Sequence, residues 1–310
     1  MPVPADAGRS DDAARSALAC YDIGAVRSLD RLPAGHASAR KVRTSVGTYL
    51  LKPAWRCADV ALLAELPALG LHGVRQPEVI RTASGNLVSP GGYFLQEFLP
   101  GEPELEPSST QVQAVMRAVG TLHVALHQLA TAYEPDRESV FVQVTAPDFL
   151  IAELPSLLRH YGLATRSAAT AIAFLAEHQA ALGVLPRQLV HGDIGPDNVP
   201  LDGGHVVAII DFTPHVLPVL LAASTALYWY HVYGQRPVSA NRLAASRAAM
   251  AETRPWPAAE DELSGAGLVW EGLRRLATTL ELARRAGTDP VPATRARMEA
   301  IEAVSTLMAE

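Results

Sequence analysis

The stretch His191-Gly192-Asp193-Ile194-Gly195-Pro196-Asp197-Asn198 follows a short apolar strand, Gln188-Leu189-Val190. A second apolar strand, Val206 to Ile210, ends in Asp211-Phe212. An Asp, an Asn and a second Asp are therefore expected on neighbouring turns at the ends of two paired strands. Phosphoryl transfer needs such a set. One carboxylate, Asp193, takes the proton of the attacking hydroxyl, while an amide oxygen, Asn198, and a second carboxylate, Asp211, hold the Mg2+ that neutralises a triphosphate. The plain alternative is a tight hairpin, because Gly195-Pro196-Asp197-Asn198 is good turn chemistry and Asp211 could simply end a strand. A turn does not explain why His191, Asp193, Asn198 and Asp211 all stand at these offsets.

The segment resembles the H-G-D-x-x-x-x-N catalytic loop and following D-F metal segment of the aminoglycoside phosphotransferase and choline kinase family, which shares the protein-kinase fold. The resemblance implies an α+β, bilobal fold: a small antiparallel-sheet N-lobe and a larger, mainly helical C-lobe. It extends by order of elements over residues 25 to 290. Its motifs are confined to positions 49 to 52, 93 to 101 and 188 to 213. It also implies ATP (or GTP) and Mg2+ as cofactors, and a role for His191 in bracing the catalytic loop rather than reacting.

Of the 26 Lys and Arg residues, two are lysines, Lys41 and Lys52. Lys52 ends the expected strand Thr48-Tyr49-Leu50-Leu51. In the resemblance this is the lysine that grips the α- and β-phosphates, where a compact ammonium suits better than a planar fork. It could also be a surface lysine at a strand end. A helix from Cys57 to Leu66 follows, with Val60, Leu62, Leu63 and Leu66 on one stripe, stopped by Pro67. Glu65 matches the carboxylate that positions the lysine; an exposed helical Glu is the alternative. The phosphate-covering loop falls near 32–40. It has one glycine, Gly35, and with Ser38 this offers backbone N–H groups to a phosphate. The stretch 93–101 resembles the hinge that bonds an adenine edge, through the Glu97 carbonyl and the Leu99 amide.

Helices are expected from Ser108, capped by Ser108 or Ser109, and over Pro147 to His160, Ser167 to Leu182, Leu217 to Val232, Val238 to Ala251, Gly265 to Arg285 and Ala293 to Met308. His123 and His127 stand one turn apart. Without a third ligand nearby they read as core or helix-contact residues rather than zinc ligands. After Asp211-Phe212 the family carries an acidic residue that anchors the catalytic loop. Here the chain reads Thr213 to Thr225 with no carboxylate, and Ser224, Thr225 or His215 are the candidates to replace it.

Composition sets outer bounds. The apolar fraction of 49% is that of a globular chain, and a net charge of -6 argues against a nucleic-acid partner. Two cysteines, Cys20 and Cys57, make no disulfide framework and fit a reduced, cytoplasmic setting. The most apolar run, Val216 to Tyr230, is short for a bilayer and reads as a buried helix. Residues 1–20 read as a mobile tail, 21–100 as the N-lobe and 101–310 as the C-lobe, in a monomer or homodimer.

The acceptor is expected to be a small molecule bearing a hydroxyl. Glu260, Asp261, Glu262 and Glu271 could bind a polycation, although acids before a helix more often form a solvated first turn. Trp270 could stack a ring or be core. Three functions remain open: an antibiotic kinase, which the long helical last third favours; a kinase of a metabolite such as homoserine, choline or a sugar; and a nucleotide-binding pseudokinase. The intact Asp193, Asn198 and Asp211 argue against the last.

Overall fold

The computed structural model describes residues 10–32, 39–70, 74–129, 133–137, 139–233 and 238–309. The chain divides into two compact units, Met1–Glu102 and Pro103–Glu310.

The first unit is built on a five-stranded antiparallel sheet. Its strands are β1 (Val26–Arg31), β2 (Arg40–Thr44), β3 (Thr48–Pro53), β4 (Val79–Ile80) and β5 (Tyr93–Glu97), in the order β1-β2-β3-β5-β4. β2 alternates as a half-buried strand must, with Arg40, Val42 and Thr44 inward. β5, an inner strand between β3 and β4, is buried along nearly its whole length. Lys52 lies in β3 opposite Phe94, and Lys41 lies over the Phe98 ring, 3.9 Å from its centroid.

The reading of residues 1–20 as a tail needs correction. Residues 1–9 lie outside the described residues, but α1 (Asp11–Leu18) is a packed helix. Ser10 caps it, accepting from the Ala13 amide at 3.2 Å, and Asp11 and Asp12 stand at the favourable N-terminal end. Ala14, Ala17 and Leu18 enter the core of the sheet beside Tyr21, Val42, Leu51 and Leu95. Buried Arg40 reaches Asp11 at 3.3 Å. The Ser-Asp-Asp cap and the 14–17–18 stripe were the signals.

Between β3 and β4, α2 (Cys57–Glu65) runs into a 3-10 turn, Leu66–Leu69. Pro67 is accommodated near the start of that turn, and the chain stops at Gly70 with φ +59. Gly35 and Ser38 lie outside the described residues.

The second unit is mainly helical. Its helices are α3 (Ser109–Leu126), α4 (Val140–Gln143), α5 (Pro147–Ala152), α6 (Leu154–His160), α7 (Arg166–Gly183), α8 (Val219–His231), α9 (Ala240–Ala251), α10 (Ala258–Glu262), α11 (Ser264–Ala286) and α12 (Val291–Ala309). Ser108 and Gln111 form a reciprocal capping box on α3. The helix expected over Pro147 to His160 is two helices, broken around Glu153 just before Pro155. α11 is the axis of the unit and touches α4, α5, α6, α7, α8, α10 and α12. Gly267 and Gly272 let Ser224 and Tyr228 of α8 approach it closely.

Strand pairing in this unit differs from expectation. β6 (Arg187–His191) pairs with β9 (Pro214–Pro218), not with the stretch before Asp211. β7 (Leu201–Asp202) and β8 (His205–Val206) form a separate hairpin. Gly203 and Gly204 both have positive φ there, as a two-residue hairpin turn requires. The apolar run 206–210 is strand only at its start; it is buried connection, and apolarity alone did not distinguish the two.

His123 and His127 part company on α3: His127 caps the helix end, exposed, and His123 is fully buried. Neither ring nitrogen of His123 has a partner among the described residues. Burial, reinforced by the Arg254 and His191 charges, pushes its pKa down to about 3. The folded state therefore refuses a proton that the unfolded chain accepts below its ordinary value. Stability is complete above that value and falls on acidification toward the folded pKa, by roughly 1.4 kcal/mol per pH unit. Comparing unfolding free energies at pH 7.5 and pH 5, His123→Leu is expected to lose about 2 kcal/mol less than the wild type.

Candidate active site

The loop after β6 is shaped by its own side chains. The His191 ring, fully buried, accepts from the Asp193 amide (3.2 Å) and the Thr213 amide (3.4 Å) at Nδ1, so Nε2–H donates to the Ile210 carbonyl (3.1 Å). Burial lowers its pKa, in keeping with that neutral tautomer. One imidazole thus ties the Asp193 turn to both flanks of Asp211. The Gly192 amide donates to the Thr213 carbonyl at 2.8 Å, extending the β6–β9 pairing.

Asn198 closes the loop. Its Nδ2 donates to the Asp193 carbonyl (2.8 Å), and its own carbonyl accepts from the Ile210 amide (2.8 Å). With Nδ2 committed, Oδ1 is fixed as a bare acceptor, buried and without a partner among the described residues. Asp211 has φ +54 and is the one non-glycine with positive φ among the described residues. A left-handed Asp costs of order 1 kcal/mol, and such strain collects where a side chain must be aimed.

Asp193 is held from α11. Its Oδ1 receives Arg275 Nη2 at 2.5 Å. Burial alone would raise this carboxyl; the Arg275 charge and hydrogen bond outweigh it and hold it below its ordinary value. Arg275 Nε is bound to Glu271 at 2.6 Å, and Glu271 also takes Arg274 through Nε (2.6 Å) and Nη2 (2.8 Å). Arg274 Nη2 donates onward to the Gly192 carbonyl at 3.2 Å. A fully buried carboxylate therefore aligns two guanidiniums, one on the loop backbone and one on the loop acid.

This cluster holds the loop from α11, through the Gly192 carbonyl and the Asp193 carboxylate, where the stretch after Phe212 offers no carboxylate. Ser224 and Thr225 instead bond back to Leu220 and Leu221 in their own helix. His215 packs under Gly192, its ring nitrogens 3.1 Å from the Thr213 carbonyl and 3.4 Å from that of Phe141. A methyl group on Gly192 would sit 2.2 Å from His215 Nδ1. Gly192→Ala must then displace the loop or the ring, and a shift of that size is expected to lower turnover about 100-fold; steady-state kinetics with a thermal melt would check it.

The other expected site residues are placed as follows. Glu271 does not face an acceptor: it is buried between two arginines, and its spacing to Arg274 and Arg275 at i+3 and i+4 was the overlooked signal. Trp270 is core, with Nε1 donating to the Thr145 carbonyl at 2.9 Å. Glu260 is buried in a two-pronged pair with Arg254 at 2.6 and 2.9 Å, and exposed Asp261 pairs with Arg247. In the first unit Glu65 is exposed and has no ion pair among the described residues, so the structure does not join it to Lys52. Partly buried Asp59 occupies the first turn of α2, 3.8 Å from Arg56. The Glu97 side chain pairs with Arg75 at 2.6 Å and its amide donates to the Glu78 carbonyl at 2.8 Å. Leu99 follows β5, buried.

No cluster of three or more His, Cys, Asp or Glu able to hold a metal occurs among the described residues. The donor set offered is an amide oxygen and a carboxylate. That set suits a hard cation completing its shell with phosphate and water, and the orphaned Asn198 Oδ1 fits it.

Residues 35–256 match the phosphotransferase enzyme family, APH. A homoserine kinase of Pseudomonas aeruginosa is 28% identical over 204 residues, covering 63% of this chain and 62% of that protein. The chain thus spans less than two thirds of the curated relative's length. Among solved structures, a microcompartment-associated aminopropanol kinase aligns with TM-score 0.71 at 16% identity, covering 97% of this chain and 98% of the other. An aminoglycoside phosphotransferase of Alicyclobacillus acidocaldarius aligns with TM-score 0.66 at 18% identity, covering 95% of each. These two likenesses establish the fold, which is α+β and protein-kinase-like. With the family match extending over most of the sequence and including the whole His191–Asp211 loop, the chain belongs to the APH phosphotransferase enzyme family.

Proposed function

We propose that the chain transfers the γ-phosphate of ATP, with Mg2+, to a hydroxyl of a small molecule. The observation that carries this reading is Asn198: its amide is locked by the Asp193 carbonyl so that Oδ1 is a buried, unanswered acceptor. A burial of that kind costs about 1–3 kcal/mol unless a donor or cation answers it. Asn198 and Asp211 would hold Mg2+, which supplies charge neutralisation on the phosphates. Asp193 Oδ2, on a side chain 40% exposed, is left to orient the acceptor hydroxyl and take its proton while Arg275 fixes Oδ1. Lys52 is proposed for the α- and β-phosphates, and the Glu97 carbonyl and Leu99 amide for the adenine edge. Glu65 has no place in that set as the structure stands. GTP is the alternative donor.

A small metabolite is favoured over a polycationic antibiotic as acceptor. Three of the four acids considered for a polycation are already paired, Glu260 with Arg254, Asp261 with Arg247 and Glu271 with Arg274 and Arg275, and exposed Glu262 is the one left over among the described residues. The matching relative is a homoserine kinase. The test is an acceptor screen: protein, Mg2+ and ATP or GTP with hydroxyl metabolites and antibiotics, products read by mass for one added phosphate. A metabolite product that disappears without Mg2+ is expected. Phosphorylation of aminoglycosides alone would restore the antibiotic reading. Bound nucleotide with no transfer to any acceptor would support the pseudokinase.

A further inference from the structure

Two guanidiniums of α11, Arg274 and Arg275, join the carboxylates Glu271 and Asp193 beside the 191–198 loop, and Arg297 of α12 reaches the same stretch of α11 through the Arg275 carbonyl. Glu271 takes Arg274 and Arg275, and Asp193 takes Arg275. Arg297 pairs with neither carboxylate. Its Nη1 donates to the Arg275 carbonyl at 3.3 Å, and its Nε is buried with no partner among the described residues. With three guanidiniums against two carboxylates the cluster carries a positive charge in excess, and Arg297 is the one of the three with no hydrogen bond to a carboxylate among the described residues.

Two further buried donors beside Arg275 are also unanswered among the described residues, Tyr228 Oη and Trp229 Nε1. The Tyr228 hydroxyl lies within electrostatic range of Glu271 first, and then of Arg297 and Arg275. The Trp229 ring carries the Arg275 guanidinium 4.9 Å from its centroid, and a methyl group on Gly195 would lie 3.2 Å from Nε1, so this donor borders the catalytic loop. Each orphaned donor costs about 1–3 kcal/mol. Three donors around an excess cation fit a group that only accepts hydrogen bonds and carries negative charge.

We infer that Arg297, with Tyr228 Oη and Trp229 Nε1, receives a carboxylate of the acceptor, so that the substrate is a hydroxy acid rather than an amino alcohol or a polycation. This rests on the phosphotransfer reading above. A phosphate oxygen of the nucleotide is the other source of the same chemistry, and the kinetics separate the two. Trp229 and Tyr233 pack edge to face at 4.6 Å, walling one side of the cluster with rings rather than acids.

The probes are L-homoserine, its neutral amide and 3-aminopropan-1-ol, with ATP and Mg2+, on wild type, Arg297→Gln, Arg297→Lys and Tyr228→Phe, each checked for an unchanged melt. Wild type is expected to have a KM for homoserine at least tenfold below that for the amide. Arg297→Gln should raise the homoserine KM about 10- to 100-fold, the worth of one charge-assisted bond, should raise the KM for the amide less, and should leave the KM for ATP unmoved. Arg297→Lys should recover part of the loss. Equal use of the amide or amino alcohol, or a rise in the ATP KM instead, overturns the inference and leaves phosphotransfer standing. Should no acceptor be phosphorylated, calorimetric binding of homoserine decides. Binding weakened by Arg297→Gln or Tyr228→Phe sustains the carboxylate site while the phosphotransfer reading fails, and no binding to wild type overturns the site.

Discussion

Asp193→Asn is expected to reduce kcat by about 100- to 10,000-fold, the range typical for loss of a positioned general base, while the protein remains folded. The amide keeps the shape of the side chain and can still meet Arg275 through its oxygen. It removes the negative charge proposed to orient and deprotonate the acceptor. The structural cost is small for two reasons visible in the site. Asp193 is 40% exposed on its side chain, which limits an ion pair to about 1 kcal/mol. Arg275 also retains its 2.6 Å bond to Glu271, so no guanidinium is stranded. Single-turnover phosphate transfer and a thermal melt, run together, check both halves. Turnover within tenfold of wild type would remove Asp193 from the chemistry and leave Arg275–Asp193 as a structural pair.

Glu271→Gln should cost stability first and activity with it. Glu271 is completely buried and is the shared partner of Arg274 and Arg275. Neutralising it leaves two largely buried guanidiniums facing each other across an uncharged amide. Breaking a buried pair in this way costs about 3–5 kcal/mol. Activity should fall as well, because Arg274 then loses the partner that aims it at the Gly192 carbonyl. Replacing the set together, Glu271→Leu with Arg274→Leu and Arg275→Leu, should recover most of the stability, since a well-packed apolar group is often no worse than a buried ion cluster. It should not recover the activity. Chemical denaturation of the single and triple variants distinguishes this from a simple core role, in which both would be equally destabilised.

The turn after β6 was legible in sequence because it is local. His191, Asp193 and Asn198 lie within eight residues, and their types and offsets leave few alternatives to a turn that aims an acid and an amide. The helices were legible through periodicity and caps, Ser108 with Gln111 most plainly. What failed was long-range. Residues 206–210 are as apolar as a strand, but β6 takes β9 as its partner. Acidic residues read as an acceptor surface proved to be internal partners, because sequence shows that Glu271 is acidic but not that Arg275 carries its charge to Asp193. α1 was missed for the reverse reason: its cap and stripe were local and visible, and the polar, proline-bearing residues before it drew attention away.

Dependence of the loop on α11 has a consequence for biosynthesis. The chain emerges in order, and residues 191–198 are complete before residues 264–286 have been made. Until those later residues dock, the Gly192 carbonyl and the Asp193 carboxylate lack the guanidiniums that hold them. A nascent or truncated polypeptide can therefore carry every residue of the catalytic octet and remain inactive, with competence arriving late and all at once, when α11 seats.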